Sequence, residues 1–513
     1  MKNTFSLYLL FLLQLLFAHG LFAQTLDSTF NTNGIAIHHL PDDDDGEAVA
    51  LAADGKIVVA SASEGVSGMD FLLMRFDSTG SLDTTFGTNG LVREPLVGKE
   101  GFFTDVLVQA DGKIVSVGYS SAEDQFYVFR HTNSGARDST FGQNGLVTTV
   151  FGTLMQGATS VGMDGNKIVV AGTAEGSVGS SIVLARYLPS GVLDVSFGSS
   201  GYGGTGIHVV QGAQPQLIVQ PDGRMLLGCA AKNGMDADFL VARLLNNGLV
   251  DGGYGSSGVT LIDLGDEEEV TAIALDLDGR LIVAGNSENP TLLSRFAMVR
   301  LDTNGVLDSS FATNGSYVQA LGSGDSYCNG LAVAGGGEIY LSGDIEDSTQ
   351  RVFALLSFDS MGGNLLGCGN QGLVATIIGN EEDLCNDMVL YPDGRIILVG
   401  ESSDIQGNSD VVLARYHPCQ IVGVDRVLAG PEVIFFPNPA FGWASIRLQT
   451  STMNTLSYSI LDLQGRTVRE LGIIPASSGG QRQEVDLREL SAGTYFLRIA
   501  GADVNKVVRF VVY

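Results

Sequence analysis

The chain has 513 residues, with 57 acidic against 28 basic side chains and a formal net charge of −29. So acidic a surface argues against nucleic acid or anionic lipid as a partner. No stretch beyond residue 23 approaches the ~20 apolar residues of a spanning helix, so no transmembrane segment is expected.

Residues 1–23 read as a secretory signal peptide: Lys2 gives the positive start and Leu9 to Phe17 the apolar core. Cleavage is expected after Ala23, leaving Gln24 first.

From residue 24 to 419 the chain repeats. The phenylalanine of an LDxTF element falls at Phe30, Phe86, Phe141, Phe197 and Phe311, and Tyr254 and Cys368 hold its place in two degenerate copies. The steps are 55–57 residues. An Asp-Gly marker recurs at Asp54, Asp111, Asp164, Asp222, Asp278 and Asp393, with Gly336 in the remaining place. Both markers count seven units. Each unit reads as four short strands, in the first GIAIHHL, EAVALAA, KIVVASA and DFLLMRF. Asp-Gly between two apolar runs is a hairpin signal. Seven four-stranded units predict an all-β fold, a seven-bladed β-propeller, ahead of a parallel β-helix, whose repeat is usually much shorter.

The pattern LDxTFGxxG, DGKIVVAG, FxLARYxxxG resembles the delta-60 repeat family of bacterial secreted proteins. The resemblance implies a propeller-like organisation and no known reaction.

Within the repeats an arginine is followed eight residues later by an aspartate: Arg75/Asp83, Arg130/Asp138, Arg186/Asp194, Arg243/Asp251 and Arg300/Asp308. Ser357 and Leu365 replace both partners at one junction. The pairs are expected to be structural, with a ring of ligand-binding arginines as the alternative. Arg415 has no aspartate at that spacing, and Asp27 has no arginine before it. Asp27 is therefore expected to pair with Arg415 and close the ring.

In four of the seven units an acidic run falls in the loop ahead of the second strand. Asp42, Asp44, Asp266, Glu268, Asp325, Glu381 and Asp383 are the candidates for a calcium site. A solvated acidic face is the favoured alternative, and no other cofactor is indicated. Four of the five cysteines lie beyond Tyr327 and allow three connectivities, of which Cys328–Cys385 with Cys368–Cys419 is favoured, and Cys229 is expected to be a buried thiol. Three G-x-G-x-x-G matches, from Gly201, Gly253 and Gly367, belong to the repeat turn and its flanks. A strand should follow each, so no nucleotide is expected. No catalytic motif is found, so no catalytic residue is assigned.

Residues 420–431 read as a linker. The rest, 432–513, carries Phe435-Phe-Pro-Asn-Pro-Ala440, Leu490-Ser-Ala-Gly-Thr-Tyr-Phe-Leu-Arg-Ile499 and a final Lys506-Val-Val-Arg-Phe-Val-Val-Tyr513. These resemble the type A C-terminal sorting domain of type IX secretion in Bacteroidetes, with Pro437, Asn438, Pro439, Gly493 and Tyr495 in the motif. The resemblance implies a small immunoglobulin-like β-sandwich and recognition by the outer-membrane secretion machinery. It also implies cleavage by a sortase-like peptidase, then display on the surface or release. Trp443 is expected in the sandwich core.

The favoured reading is an exported, non-enzymatic propeller that binds or adheres to a glycan or protein. The alternatives are a secreted polysaccharide hydrolase or lyase and a structural surface-layer component.

Overall fold

The computed structural model describes residues 24–419 and 432–512. Short stretches at 41–42, 66–67, 97, 122, 152–155, 177–178, 234–235, 290–292, 348–349, 442, 450–454, 463–465, 476–480, 492 and 502–503 are excepted. The expected signal peptide with Ala23, the candidate Asp42 and the expected 420–431 linker lie outside the described residues. Every regular element described is a strand. The chain divides into two compact units, 1–421 and 422–513.

The first unit holds seven four-stranded antiparallel sheets, the blades of a propeller. Blade 1 is Asp44–Leu51, Ile57–Gly65, Gly68–Phe76 and Leu91–Glu94, from the innermost strand outwards. The innermost strands of blades 2 to 7 are Gly101–Val108, Gln156–Asp164, Gln216–Val219, Glu267–Leu275, Ser326–Val333 and Asp383–Leu390. Each blade thus takes three strands from one repeat unit and its outermost strand from the next. The Asp-Gly turns join innermost to second strands. Gly55, Gly112, Gly223, Gly279 and Gly394 there have φ of 77–89°, a region that costs glycine nothing.

Seven apolar cores each draw on two neighbouring blades and run around the whole ring. Each fully buried side chain such as Phe71 or Leu413 contributes about 1.5–3 kcal/mol. The phase offset between unit and blade forces the ends together. Blade 7 lacks an outer strand of its own, and Ile35–His38 supplies it, pairing with Ser409–Tyr416 from Ile35↔Ala414 to His38↔Val411. An open ring would expose two sheet edges.

The repeated arginine staples each blade to the next by three contacts. Arg75 Nε lies 2.9 Å from Asp83 Oδ2, and the same pairing at 2.8–2.9 Å recurs for Arg130/Asp138, Arg186/Asp194, Arg243/Asp251 and Arg300/Asp308. Each guanidinium also lies 4.4–4.5 Å from the centre of the LDxTF ring, Phe86, Phe141, Phe197, Tyr254 or Phe311. Its remaining N–H groups reach a backbone carbonyl of the next blade's turn, as Arg130 to Pro189 and Arg300 to Ser360, both at 2.6 Å. At the ring closure Arg415 Nε is 2.9 Å from Asp27 Oδ2, and its guanidinium is 4.6 Å from the Phe30 centroid.

One junction is built differently. Ser357, Leu365 and Cys368 stand where the other blades have Arg, Asp and Phe. Ser357 Oγ donates instead to Gln24 Oε1 at 2.8 Å, so the chain's first described residue fills the gap. A Cys368–Cys419 disulfide ties the same turn to the segment after blade 7. The other expected pair is absent: Cys328 and Cys385 are buried free thiols, as is Cys229. Cys328 packs in the core between blades 5 and 6, and Cys385 in the core between blades 6 and 7. The blade 6 sheet therefore separates them, although both occupy the same place in their units.

The second unit is a sandwich. Glu432–Phe441, Trp443–Gln449 and Gln481–Asp486 form one layer. Thr455–Leu461, Thr467–Pro475, Gly493–Gly501 and Val504–Val512 form the other. A single parallel bridge, Ala440↔Val512, links them. Ala444, Ile446, Tyr458, Ile460, Leu497, Ile499 and Phe510 fill the core. Trp443 does not. Period-two alternation turns Ala444 and Ile446 inwards and leaves Trp443 49% exposed, with the Arg488 guanidinium 4.9 Å from its ring.

Candidate functional site: the central cavity and its groove

The innermost strands surround a cavity of about 420 Å³ lined by residues of all seven blades. A β-bulge re-aims one residue in six of these strands, at Glu47, Thr104, Thr159, Thr271, Asn329 and Asn386. The glycine of the IVVAG element makes room for it. A Cβ on Gly118, Gly172, Gly285, Gly343 or Gly400 would fall 1.8–2.0 Å from a backbone oxygen of the bulged strand. In blade 1 the residue is Ser61, whose hydroxyl donates to the equivalent carbonyl, that of Asp45.

The bulge residues bond neighbouring blades around the cavity. Thr104 donates to Ala158 O at 2.9 Å and Thr159 to Pro215 O at 2.7 Å. Thr271 donates to Cys328 O at 2.7 Å, Asn329 to Cys385 O at 2.8 Å and Asn386 to Gly46 O at 3.1 Å. The side chains one residue on add further bonds. Asp105 Oδ2 accepts from Val161 N at 2.7 Å, and Asp387 Oδ2 from Val49 N at 2.8 Å.

Blade 4 breaks this order. Pro215 occupies its bulge position and cannot donate, and Cys229 replaces the glycine. Its innermost strand is four residues long and pairs without a bulge, Gln216↔Gly228 to Val219↔Met225. Two further cavities open there. One of about 470 Å³ shares Glu269, Asn286 and Tyr327 with the central cavity. The other, of about 430 Å³, shares Val210, Gln211 and Lys232 with the second and reaches His208 and Glu175 in blade 3. Together they make a groove from the centre outwards over blade 4.

Carboxyl groups dominate the electrostatics of the centre. Burial pushes Asp105 up to about 6, and Asp387 and Asp344 up to about 7. Burial, with Asp45, Glu401 and Asp387 nearby, pushes Glu47 up to about 8. Arg351, which contacts Asp344 at 3.5 Å and stacks 4.6 Å from the Tyr327 ring, is the guanidinium on this wall.

The acidic candidates do not converge. Asp44, Glu268 and Asp383 lie at the same end of their innermost strands, in blades 1, 5 and 7, and Asp325 immediately precedes that of blade 6. Asp383 accepts from Ile378 N, Gly379 N and Ser402 Oγ at 2.6–3.0 Å. Glu268 accepts from Leu264 N, Asp266 N and Ser287 Oγ at 3.1–3.2 Å. Asp325 accepts from Ser294 N at 2.8 Å, and Asp266 pairs with Arg295. Glu381 is exposed. Burial pushes Asp44 up to about 6. Glu268 and Asp383 tie down the loops that lead into their own blades, and Asp325 caps a strand of the neighbouring blade 5. One group of three, Asp238, Asp263 and Glu268, has oxygens within 4.8 Å of one another and includes a single candidate. The G-x-G-x-x-G turns lead into strands Tyr202–Val209, Val259–Ile262 and Leu373–Thr376, with no helix N-terminus to hold a phosphate.

Neither Glu47 nor the groove stood out in the sequence. The signal was present as spacing: each bulge residue lies nine or ten residues before the next strand's first apolar residue, and Pro215 and Glu47 break the Thr/Asn rule there.

Two family models match the chain. A domain of unknown function described as the DUF5122 beta-propeller matches 52–86, 109–141, 166–197, 277–311 and 392–418. A secretion system C-terminal sorting domain matches 434–513. The chain carries DUF5122 β-propeller repeats and a type IX secretion sorting domain. That domain marks export through the outer membrane to the cell surface or the extracellular space. Within it Pro437, Asn438 and Pro439 fall in the break in strand pairing between Phe436 and Phe441. Gly493 pairs with Val512, and Tyr495 Oη donates to Ser491 O at 2.9 Å. No helix among the described residues is long and apolar enough to cross a membrane.

No curated protein matches the sequence. Among solved structures, the chain is similar to PorZ, a surface component of the type IX secretion system of Porphyromonas gingivalis. The identity is 12% and the TM-score 0.37, covering 91% of this chain and 59% of PorZ. The chain thus spans about three-fifths of PorZ's length. The polysaccharide lyase Uly1 aligns at 11% identity and TM-score 0.42 over 73% of this chain and 90% of its own. A PL25 ulvan lyase aligns at 11% and 0.41 over 76% and 94%.

Proposed function

We propose that the exported propeller is a non-enzymatic binding module that takes a neutral or amino-sugar glycan in the groove over blade 4. The observation that carries this is the continuity of the groove with the central cavity at the one blade that lacks the bulge. Six blades turn their bulge side chains to the cavity wall, five of them as donors to the next blade, and the seventh leaves an opening. The groove wall mixes an amine, carboxamides, a phenol and carboxylates: Lys232, Gln211, Asn286, Tyr327, Glu269 and Glu288. Sugar hydroxyls both donate and accept, and suit such a wall. The carboxylates oppose a uronic-acid or sulfated chain by like-charge repulsion.

Isothermal titration of the mature protein against neutral, amino-sugar and uronic-acid oligosaccharides tests this. Saturable binding is expected for one of the first two classes, weakened about tenfold or more by Lys232→Ala or Glu269→Gln, as for one lost charged contact. Binding untouched by both changes would move the site elsewhere. Release of reducing ends during the titration would replace a binding role with a cleaving one.

A further inference from the structure

The ring of bulge residues contains one member whose chemistry does not fit its place unless it carries a proton. Thr104, Thr159, Thr271, Asn329 and Asn386 each donate a side-chain hydrogen bond to a backbone carbonyl of the next blade. In four of the five, the acceptor is the residue just before the next blade's own bulge residue: Ala158, Cys328, Cys385 and Gly46. Glu47 is the bulge residue of blade 1. The acceptor that the pattern assigns to it is Phe103 O, the residue before Thr104. A carboxylate has only acceptor oxygens, whereas a carboxylic acid has one O–H to give. An ionised Glu47 would set negative charge against a carbonyl oxygen. We propose that Glu47 stands protonated in the folded propeller at neutral pH, donates to Phe103 O, and so closes the ring between blades 1 and 2, making that joint sensitive to alkali.

The surroundings support this from every strand packed near it. Asp45 lies on its own strand, Asp387 on the innermost strand of blade 7, Glu401 on the strand Ile396–Ser403, and Tyr119 on Ile114–Ser120. The three carboxyl groups all disfavour a further negative charge, and burial adds to them, pushing Glu47 up to about 8. Asp105, on the innermost strand of blade 2, acts in turn on Asp387. Nothing in the rest of the ring titrates, because its other members are threonine, asparagine and Pro215.

The sign follows from linkage. The group binds its proton more tightly folded, at about 8, than its ordinary value of 4.5. Its contribution is full below 4.5 and is lost as pH rises through 8. Asp105, Asp344 and Asp387 titrate lower, at about 6 to 7, so the window from pH 7.5 to 9 belongs chiefly to Glu47.

The test is denaturant unfolding of the full mature chain from pH 6 to 9.5. The wild-type unfolding constant should rise about tenfold between pH 7 and 9 through this group. Glu47→Gln keeps a donor of the same length and cannot ionise. It should fold, flatten the pH 7.5–9 slope and be more stable than wild type at pH 9. Glu47→Leu, which cannot donate, should be less stable than wild type at pH 6 and should likewise lose the pH 7.5–9 slope. Infrared difference spectra of wild type against Glu47→Gln give an independent reading: a protonated-carboxyl stretch that the variant lacks should be present at pH 7 and fade through pH 8. A wild-type slope that survives unchanged in Glu47→Gln, or no Glu47-dependent protonated band at pH 7, would overturn the proposal.

Discussion

Arg300 shows why the repeat tolerates change at so few places. Its side chain is fully buried, yet it is paired to Asp308, stacked on Phe311 and bonded to Ser360 O. A buried charge stripped of one partner costs about 3–5 kcal/mol, which explains why Ser357 and Leu365 changed together. The same logic applies at Asp27, 1% exposed, where burial opposes ionisation and the Thr29 hydroxyl and amide with Arg415 overcome it. Asp27→Ala should therefore destabilise by about 3–5 kcal/mol. The Asp27→Ala, Arg415→Ala double variant should lose less than the sum of the two singles. Denaturant melts of the four proteins measure the coupling; additive losses would mean the two side chains act independently.

At the scale of the element, the junction after blade 6 shows two unlike solutions to one problem. Elsewhere a guanidinium clamps an aromatic ring; here Cys368 replaces the ring and bonds to Cys419, 51 residues away. Closing a loop of that size in the unfolded chain is worth about 4 kcal/mol by the chain-entropy argument. Reduction, or Cys368→Ser, should lower the thermal midpoint. Cys328→Ser at the equivalent site of the buried thiols should give no redox response of its own. Equal midpoints for oxidised and reduced protein would show that Gln24 and the packing suffice. Blade 4 makes the converse point. Losing one glycine and gaining one proline removed its bulge, and the gap became the groove.

For the whole molecule, closure and export are separate problems solved at separate ends. The N-terminal strand completes blade 7, so the ring needs residues 24–38 and not the sorting domain. Deletion of Glu432–Tyr513 should leave a folded propeller that accumulates in the periplasm. Fractionation with an antibody to the propeller checks this. Truncated protein in the medium or on intact cells would remove the sorting domain from the export route.

Much of this architecture was legible in the residues. A period of 55–57 residues with two markers gives the blade count, because each unit buries its faces only against neighbours. The unmatched Asp27 and Arg415 point to the closure, because a charge that is stapled in five copies needs its partner in the sixth. The FFPNPA and LSAGTYFLRI segments mark the tail. Three matters were decided only in three dimensions. Cys328 and Cys385 have equivalent places in sequence, but a sheet stands between them, and spacing does not say which face of its sheet a side chain takes. Trp443 is apolar enough for a core, but strand alternation turned it outwards. The groove and the protonation of Glu47 depend on side chains brought to one axis from seven blades up to 340 residues apart, such as Asn386 and Gly46. Burial and mutual repulsion at that axis are properties of the closed ring, and no local stretch of the chain possesses them.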